Sequence, residues 1–173
     1  MEYDVVIGRL EALSDPEAVK GMARYGIVGN KVYGVSIPNL RQIAREIGVD
    51  HGLALRLWAA DSRETRILAS MVADPKLVTE TQMEEWVQGF DSWDLCNQYC
   101  MNLFEKTRFA YQKCFDWSCR EEEFVKRAGF VLMARLAVSN KKADDARFEQ
   151  FLPIIGEKPG ILGISSRRRS TGP

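Results

Sequence analysis

Helical periodicity is the feature that most constrains the fold of this 173-residue chain. Apolar residues recur at the spacing of one helix face in segment after segment; in the first segment they are Val5, Val6, Leu10 and Leu13. No alternating pattern and no Asn-Gly hairpin indicates a pair of strands. The chain is therefore predicted to be all-α, folded as a compact bundle or as a solenoid of stacked antiparallel helix pairs.

Capping and stop signals predict where the helices begin and end. Asp15 followed by Pro16 is a typical helix start, and Gly48 is a typical stop. Thr79 with Gln82 three residues later predicts a capping box. These signals give helices over 2–13, 15–26, 36–48, 62–74, 91–105, 108–118, 121–139 and 144–152, with two more beginning at Asp50 and Thr79. A glycine-containing loop is predicted over 27–36.

The last part of the chain has a different composition. Residues 156–173 contain glycines, prolines, serines and an arginine triplet, with no helical periodicity. This pattern is typical of disorder. We therefore expect one helical domain over residues 1–155 and a disordered basic tail over 156–173. The arginines of the triplet, 167–169, either contact phosphate or form a solvated charge run.

Charge and hydropathy limit the location and the partners of the chain. No apolar run approaches the roughly 20 residues of a membrane span, and the N-terminus lacks the positive charge of a signal peptide. We therefore expect a cytoplasmic protein. The net charge is zero, but residues 1–119 carry −4 and residues 120–173 carry +4. The second part could face phosphate, or the two halves could simply be solvated faces.

The cysteines do not have the spacing of a metal or redox site. Cys96 and Cys100 are four residues apart, and Cys114 and Cys119 are five apart, so none forms a CxxC pair. Free, buried thiols are the expected state in an intracellular protein. The single histidine, His51, has no ligand cluster around it in the sequence, and no metal site is predicted.

Three segments are more specific than generic helix. They are MARYGIVGNKVYGVSIPNLRQIAREIG (22–48), FDSWDLCNQYCMNLF (90–104) and FVKRAGFVLMARLA (124–137). In this order and spacing the chain resembles the AlkD-type DNA alkylation repair proteins, from near its start to about residue 152. The resemblance implies an α-α superhelix of HEAT-like antiparallel pairs. It also implies binding of double-stranded DNA that carries N3- or N7-alkylpurines, and we expect a monomer.

In that family the bound base is excised by hydrolysis of its N-glycosidic bond. An alkylated purine is cationic, so it stacks on electron-rich rings and leaves without needing a proton. A carboxylate stabilises the positive charge that develops on the sugar, and a basic residue holds a backbone phosphate. No metal or organic cofactor is implied.

The resemblance places the family's site residues on specific positions of this chain. Its cleft tyrosine falls on Tyr25, the tryptophan of its Trp-Asp-x-x-Asp motif on Trp93, the first Asp on Asp94 and its phosphate-binding arginine on Arg127. Each has a structural alternative. Trp93 could fill the core, Tyr25 could pack beside the glycine-rich loop with its hydroxyl in water, and Arg127 could pair on the surface with Glu123.

The second Asp of the motif, which is catalytic in the family, falls on Asn97. An amide keeps the shape and the hydrogen bonds of a carboxylate but not its charge, and losing one such group typically costs about 100- to 1000-fold in rate. Asp94 is a possible substitute. The family also continues with helix pairs beyond 152, so we expect the domain to be short at its C-terminus.

Two functions follow from these patterns. The chain is either a glycosylase acting on alkylated DNA or a catalytically inactive HEAT-like module that binds DNA or a protein. A positive surface containing Arg127, Arg135 and Lys141 would favour DNA, whereas a neutral or acidic one would favour a protein partner. Elsewhere, the charged residues Arg63, Glu64 and Arg66 are expected to form an exposed helix face.

Overall fold

The computed structural model describes residues 1–28 and 31–139. Within these ranges the chain forms nine α-helices, one 3₁₀ turn and no strand. The predicted helix at 144–152 and the tail at 156–173 lie outside the described residues. The helices are α1 (Tyr3–Ala12), α2 (Pro16–Arg24), α3 (Ile37–Ile47), α4 (His51–Ala59), α5 (Arg63–Val72), α6 (Glu80–Gln88), α7 (Trp93–Asn102), α8 (Ala110–Ser118) and α9 (Glu123–Ser139), with the 3₁₀ turn at Phe104–Lys106.

Five of the predicted helix starts are confirmed by side-chain caps. Each capping oxygen accepts a hydrogen bond from a backbone N–H in the first turn, at Asp15, Ser36, Asp50, Ser62 and Thr79. The capping box predicted at Thr79 is only half formed: the Thr79 hydroxyl accepts the Gln82 backbone N–H at 3.1 Å, but within the described residues the Gln82 side-chain oxygen accepts no bond from the Thr79 backbone N–H. A complete capping box occurs instead at Ser62, whose partner is Thr65.

One predicted helix is shorter than expected. The pattern predicted a continuous helix over 91–105, but α7 ends at Asn102 and a 3₁₀ turn follows. Leu103 leaves helical geometry, with φ −126° and ψ −61°. Leu103 and Phe104 are both fully buried. The chain therefore turns where doing so places two apolar side chains in the core.

Helices α3, α5, α7 and α9 lie side by side and run in the same direction. At the starts of α5 and α7, Arg63 bonds to Asp94; at their ends, the Asn102 amide donates to the Ser70 hydroxyl at 3.1 Å. Helices α7 and α9 keep the same register, since the Cys96 and Cys100 thiols donate to carbonyl oxygens four residues apart in α9. This parallel row is called the inner layer below.

Helices α4, α6 and α8 form a second row against the inner layer. Trp58 of α4 stacks on Trp86 of α6 with ring centroids 5.3 Å apart, and Lys113 of α8 bonds to Glu80 of α6 at 2.7 Å. The core lies between the rows and is rich in aromatic rings around Tyr99. The prediction that Trp58 and Trp86 pack in the core is confirmed. Helices α4 and α8 each pack against the inner-layer helix that follows after a short turn, α5 and α9 respectively, whereas α6 packs against α9.

The cysteines are free, as predicted. Cys96, Cys100 and Cys114 are buried, whereas Cys119 is exposed, which corrects the expectation that all four are buried. Burial raises the pKa of the Cys114 thiol to about 12, so this group is protonated at neutral pH. No helix in the described part of the chain is long and apolar enough to cross a membrane.

Candidate nucleic-acid interface

The start of α7 carries three of the residues that the resemblance selects. The Ser92 hydroxyl accepts the backbone N–H of Leu95 at 3.4 Å, which fixes the first turn of the helix at Trp93. Trp93 and Asn97 are four residues apart and therefore lie on the same face. Asp94 follows Trp93 but points to a different side, toward α5.

Tyr25 and Trp93 meet although they are distant in sequence. The indole N–H of Trp93 donates to the backbone carbonyl of Tyr25 at 3.0 Å. Tyr25 ends α2, and Gly26 follows with φ +74°, so the chain turns away directly after the contact. The Tyr25 side chain is 75% exposed and that of Trp93 is 41% exposed. Trp93 is therefore not a core residue, and both rings present faces to solvent at one end of the inner layer.

Asp94 is held by Arg63, an arginine that was predicted to lie on an exposed helix face. Asp94 is only 7% exposed, and its Oδ2 accepts from Nε and Nη2 of Arg63 at 2.9 and 2.5 Å. Arg63 also donates from Nη1 to Glu64 at 3.0 Å and to the Val35 carbonyl at 3.3 Å. The negative charge of Asp94 is thus balanced by a buried guanidinium, which makes this carboxylate a structural group rather than a free acid.

The expectation that Arg63, Glu64 and Arg66 form an exposed helix face is wrong. Glu64 is 0% exposed, and its two oxygens accept the backbone N–H groups of Tyr33 and Gly34 at 2.9 and 3.1 Å. The charged residues therefore join the loop before α3 to the starts of α5 and α7. Charged side chains can be buried in this way because each has a partner.

Asn97 and Arg127 each leave a polar atom without a partner. Oδ1 of Asn97 and Nε of Arg127 are buried and have no hydrogen-bond partner among the described residues. The two residues lie on the adjacent helices α7 and α9 of the inner layer. Buried polar atoms are usually paired, so these two atoms are exceptions among the described residues.

The proposed surface pairing of Arg127 with Glu123 is not formed. Within the described ranges, Arg127 takes part in no ion pair. Of the other cations expected on this surface, Arg135 is held by Glu105 through hydrogen bonds of 2.8 and 3.0 Å. Lys141 lies outside the described residues. Arg127 is therefore the cation of this set whose charge is not balanced by a neighbouring carboxylate in the described structure.

The candidate surface combines aromatic and polar side chains. It offers two exposed aromatic rings, an amide and a guanidinium, while the carboxylate that the resemblance places here, Asp94, is bound to Arg63. Within residues 1–28 and 31–139 no group of three or more His, Cys, Asp or Glu side chains is arranged to hold a metal ion. Rings and cations are the groups that hold bases and phosphates.

Residues 6–158 match the family described as DNA alkylation repair enzyme. The chain belongs to this family. The match covers most of the sequence, including Tyr25, Trp93, Asn97 and Arg127.

One relative of this chain is the uncharacterized protein Lin0241 of Listeria innocua, which is 24% identical over 134 residues. The alignment covers 75% of this chain and 60% of the Listeria protein, so the chain spans about three fifths of that relative's length. A solved structure is described as a new family of proteins related to the HEAT-like repeat DNA glycosylases with affinity for branched DNA structures. It superposes with a TM-score of 0.80 at 22% identity, over 91% of this chain and 68% of that one. The predicted all-α fold of HEAT-like helix pairs is confirmed.

Sequence reasoning missed the role of Arg63, because it predicted an exposed side chain where the structure has a buried partner of Asp94. Its partner Asp94 is 31 positions away, and no local pattern joins the two. The available signal was indirect. Arg63 and Glu64 directly follow the capping residue Ser62, and a helix start that packs against a neighbouring helix start is a place where charges can become buried.

Proposed function

We propose that this chain binds DNA through the surface formed by Tyr25, Trp93 and Arg127 and does not excise bases. The observation that carries the proposal is the state of the two acid positions. Asn97 is neutral, and Asp94 is bound to Arg63 at 2.5 Å and is almost completely buried. These two positions therefore offer no free carboxylate to stabilise a developing sugar cation, while Tyr25, Trp93 and Arg127 are groups of the kinds that bind bases and phosphates.

Energetics make Asp94 a poor substitute acid. Freeing it for catalysis would require Arg63 to lose a buried partner, and breaking a buried ion pair costs about 3–5 kcal/mol. One well-placed catalytic charge lowers the activation barrier by about 3–4 kcal/mol, so the cost of freeing Asp94 would offset this effect. The alternative of an excising enzyme therefore requires a rearrangement at the starts of α5 and α7.

Branched DNA is the ligand class that we propose first. The solved relative with affinity for branched DNA shares this fold, and the exposed rings of Trp93 and Tyr25 suit the unstacked bases at a branch point. Base-to-ring stacking contributes about 1–3 kcal/mol per base and tolerates any sequence. Arg127 would contact a backbone phosphate, which fixes position without reading sequence.

The test is a binding titration by fluorescence anisotropy with a labelled four-way junction and a linear duplex of the same sequences. The wild type is expected to bind the junction more tightly than the duplex. Trp93→Ala is expected to weaken junction binding by about 5- to 150-fold, the equivalent of one lost stacking contact. Leu77→Ala is the matched control, because Leu77 is also an exposed apolar side chain but lies in the turn between α5 and α6.

Two results would count against the proposal. Absence of binding to either DNA by the wild type would remove DNA as the partner and leave a protein ligand as the alternative. Equal weakening by Trp93→Ala and Leu77→Ala would show that the Trp93 ring does not face DNA.

A further inference from the structure

A groove at the C-terminal ends of α3, α5 and α7 is separate from the residues discussed so far. Its volume is about 390 Å³, and its lining includes Arg41, Arg45, Val49, Met71, Asn102 and Lys106. This set is called the basic groove. The residues that line it contribute three cationic side chains and no carboxylate, so its charge is wholly positive.

The cations of the basic groove differ from most others in the described part of the chain. Arg9, Arg66 and Lys113, for example, are each paired with a carboxylate. None of the three groove cations takes part in an ion pair within the described ranges, and all three are exposed. A set of neighbouring cations without counter-charges attracts anions from solution.

Helix stability does not explain this arrangement. Arg41 and Arg45 are four residues apart in α3, so their side chains are neighbours about 5–6 Å apart at Cβ. Like charges at this spacing weaken an isolated helix. Two guanidinium groups side by side on one face can instead contact neighbouring phosphates of one strand, and guanidinium matches phosphate with two parallel hydrogen bonds.

The basic groove also lies at a useful distance from the surface formed by Tyr25, Trp93 and Arg127, which is called the Trp93 surface below. Trp93 begins α7 and Asn102 ends it, so the two are about 14 Å apart along the helix axis at 1.5 Å per residue. At 3.4 Å per base pair, this length corresponds to about four base pairs of duplex. A duplex that lies along α7 from its start would therefore have further phosphates close to the end of the same helix.

We propose that the basic groove is a second contact for the DNA backbone, in which Arg41, Arg45 and Lys106 bind phosphates of the DNA held at the Trp93 surface. This inference rests on the proposed function. It adds a sequence-independent electrostatic contribution, because phosphate contacts carry no sequence information. The two ends of the inner layer then have different roles: aromatic rings contact bases at one end, and cations contact phosphates at the other.

The test is the salt dependence of binding to the four-way junction, measured by fluorescence anisotropy from 50 to 200 mM NaCl. Each phosphate contact adds about 0.9 to the slope of log K against log salt. Arg41→Gln/Arg45→Gln is expected to reduce the slope by about 2, and Lys106→Gln by about 1. The control is Arg56→Gln/Lys76→Gln, since Arg56 and Lys76 are exposed cations outside the groove. It is expected to leave the slope unchanged.

The outcomes separate this inference from the proposed function. If Trp93→Ala weakens binding but the groove variants keep the wild-type slope, the proposed function stands and the groove inference is overturned. The effect of inorganic phosphate is measured as the rise in Tm that it gives the wild type. If the groove variants lose only this rise in Tm and keep the wild-type salt dependence, the groove binds small anions and the inference is again overturned. If the wild type binds no DNA, both fall. Equal Tm values for all variants in NaCl exclude misfolding as the cause.

Discussion

Gly129→Ala is expected to destabilise the protein, although alanine is the better helix former. Gly129 lies in α9, where this helix packs against the end of α8. A Cβ atom on Gly129 would lie 2.4 Å from the backbone nitrogen of Ser118 and 2.9 Å from both the Ser118 Cα and the Trp117 carbonyl carbon. All three obstacles are backbone atoms that cannot rotate away. The two helices would therefore have to separate.

The size of the effect follows from two opposing contributions. Replacing a helical glycine by alanine contributes about 1 kcal/mol in favour of folding. Overpacking costs about 1–3 kcal/mol or more, and a clash with backbone belongs at the upper end. The net loss in free energy of unfolding is therefore about 2 kcal/mol. Since α9 carries Arg127, the same change should also weaken DNA binding.

Gly21→Ala is the matched control. Gly21 lies inside α2, and a Cβ there would meet nothing within 4 Å. It is expected to increase stability by about 0.5–1 kcal/mol. Urea unfolding followed by far-UV circular dichroism measures both variants against the wild type. A Gly129→Ala protein as stable as the wild type, or more stable, would show that α8 and α9 do not approach as closely as described.

Two further predictions concern buried charges. Arg63→Gln leaves Asp94 and Glu64 without a counter-charge and should lower the free energy of unfolding by about 3–5 kcal/mol. The control Arg41→Gln should change it by no more than about 0.5 kcal/mol. Equal losses for the two variants in urea unfolding would contradict the buried network. Partial burial raises the pKa of Glu84, but the hydrogen bonds from Lys113 and Trp117 lower it. The net result is a pKa below the ordinary 4.5. A carboxylate whose pKa is lower in the folded state stabilises the fold at pH values above its unfolded-state pKa. This stabilisation is lost as the pH falls through the folded-state pKa. Glu84→Gln should therefore cost about 1–3 kcal/mol at pH 7, and the difference from the wild type should shrink below pH 4.5 in unfolding curves recorded against pH.

Local signals predicted the helices well because the interactions behind them are local. The cap at Asp15 involves backbone groups two and three residues ahead, so the sequence alone contains both partners. The end of α7 was predicted three residues too late, because burial of Leu103 and Phe104 depends on helices elsewhere in the chain. Helix starts could thus be predicted from the sequence, while this helix end required the tertiary structure.

The candidate site shows the same division. Trp93 and Asn97 share a face by spacing alone, but the contact between Trp93 and Tyr25 joins residues 68 positions apart and was accessible only through the family resemblance. Periodicity treats Arg63 and Glu64 as solvated, because charged residues are buried only when paired and the pairing is set by the fold. A sequence signal did exist for the basic groove: two arginines four apart on one helix, which local stability does not favour.

The most direct test of the account is single-turnover release of 7-methylguanine from methylated duplex DNA at protein concentrations that saturate binding. The wild type is expected to hold the DNA, as anisotropy in the same samples would show, while base release stays at background. Asn97→Asp, which restores a carboxylate beside Trp93, is expected to raise release above that background. Release by the wild type itself would contradict the account, and its loss in Asp94→Asn would then identify Asp94 as the acid.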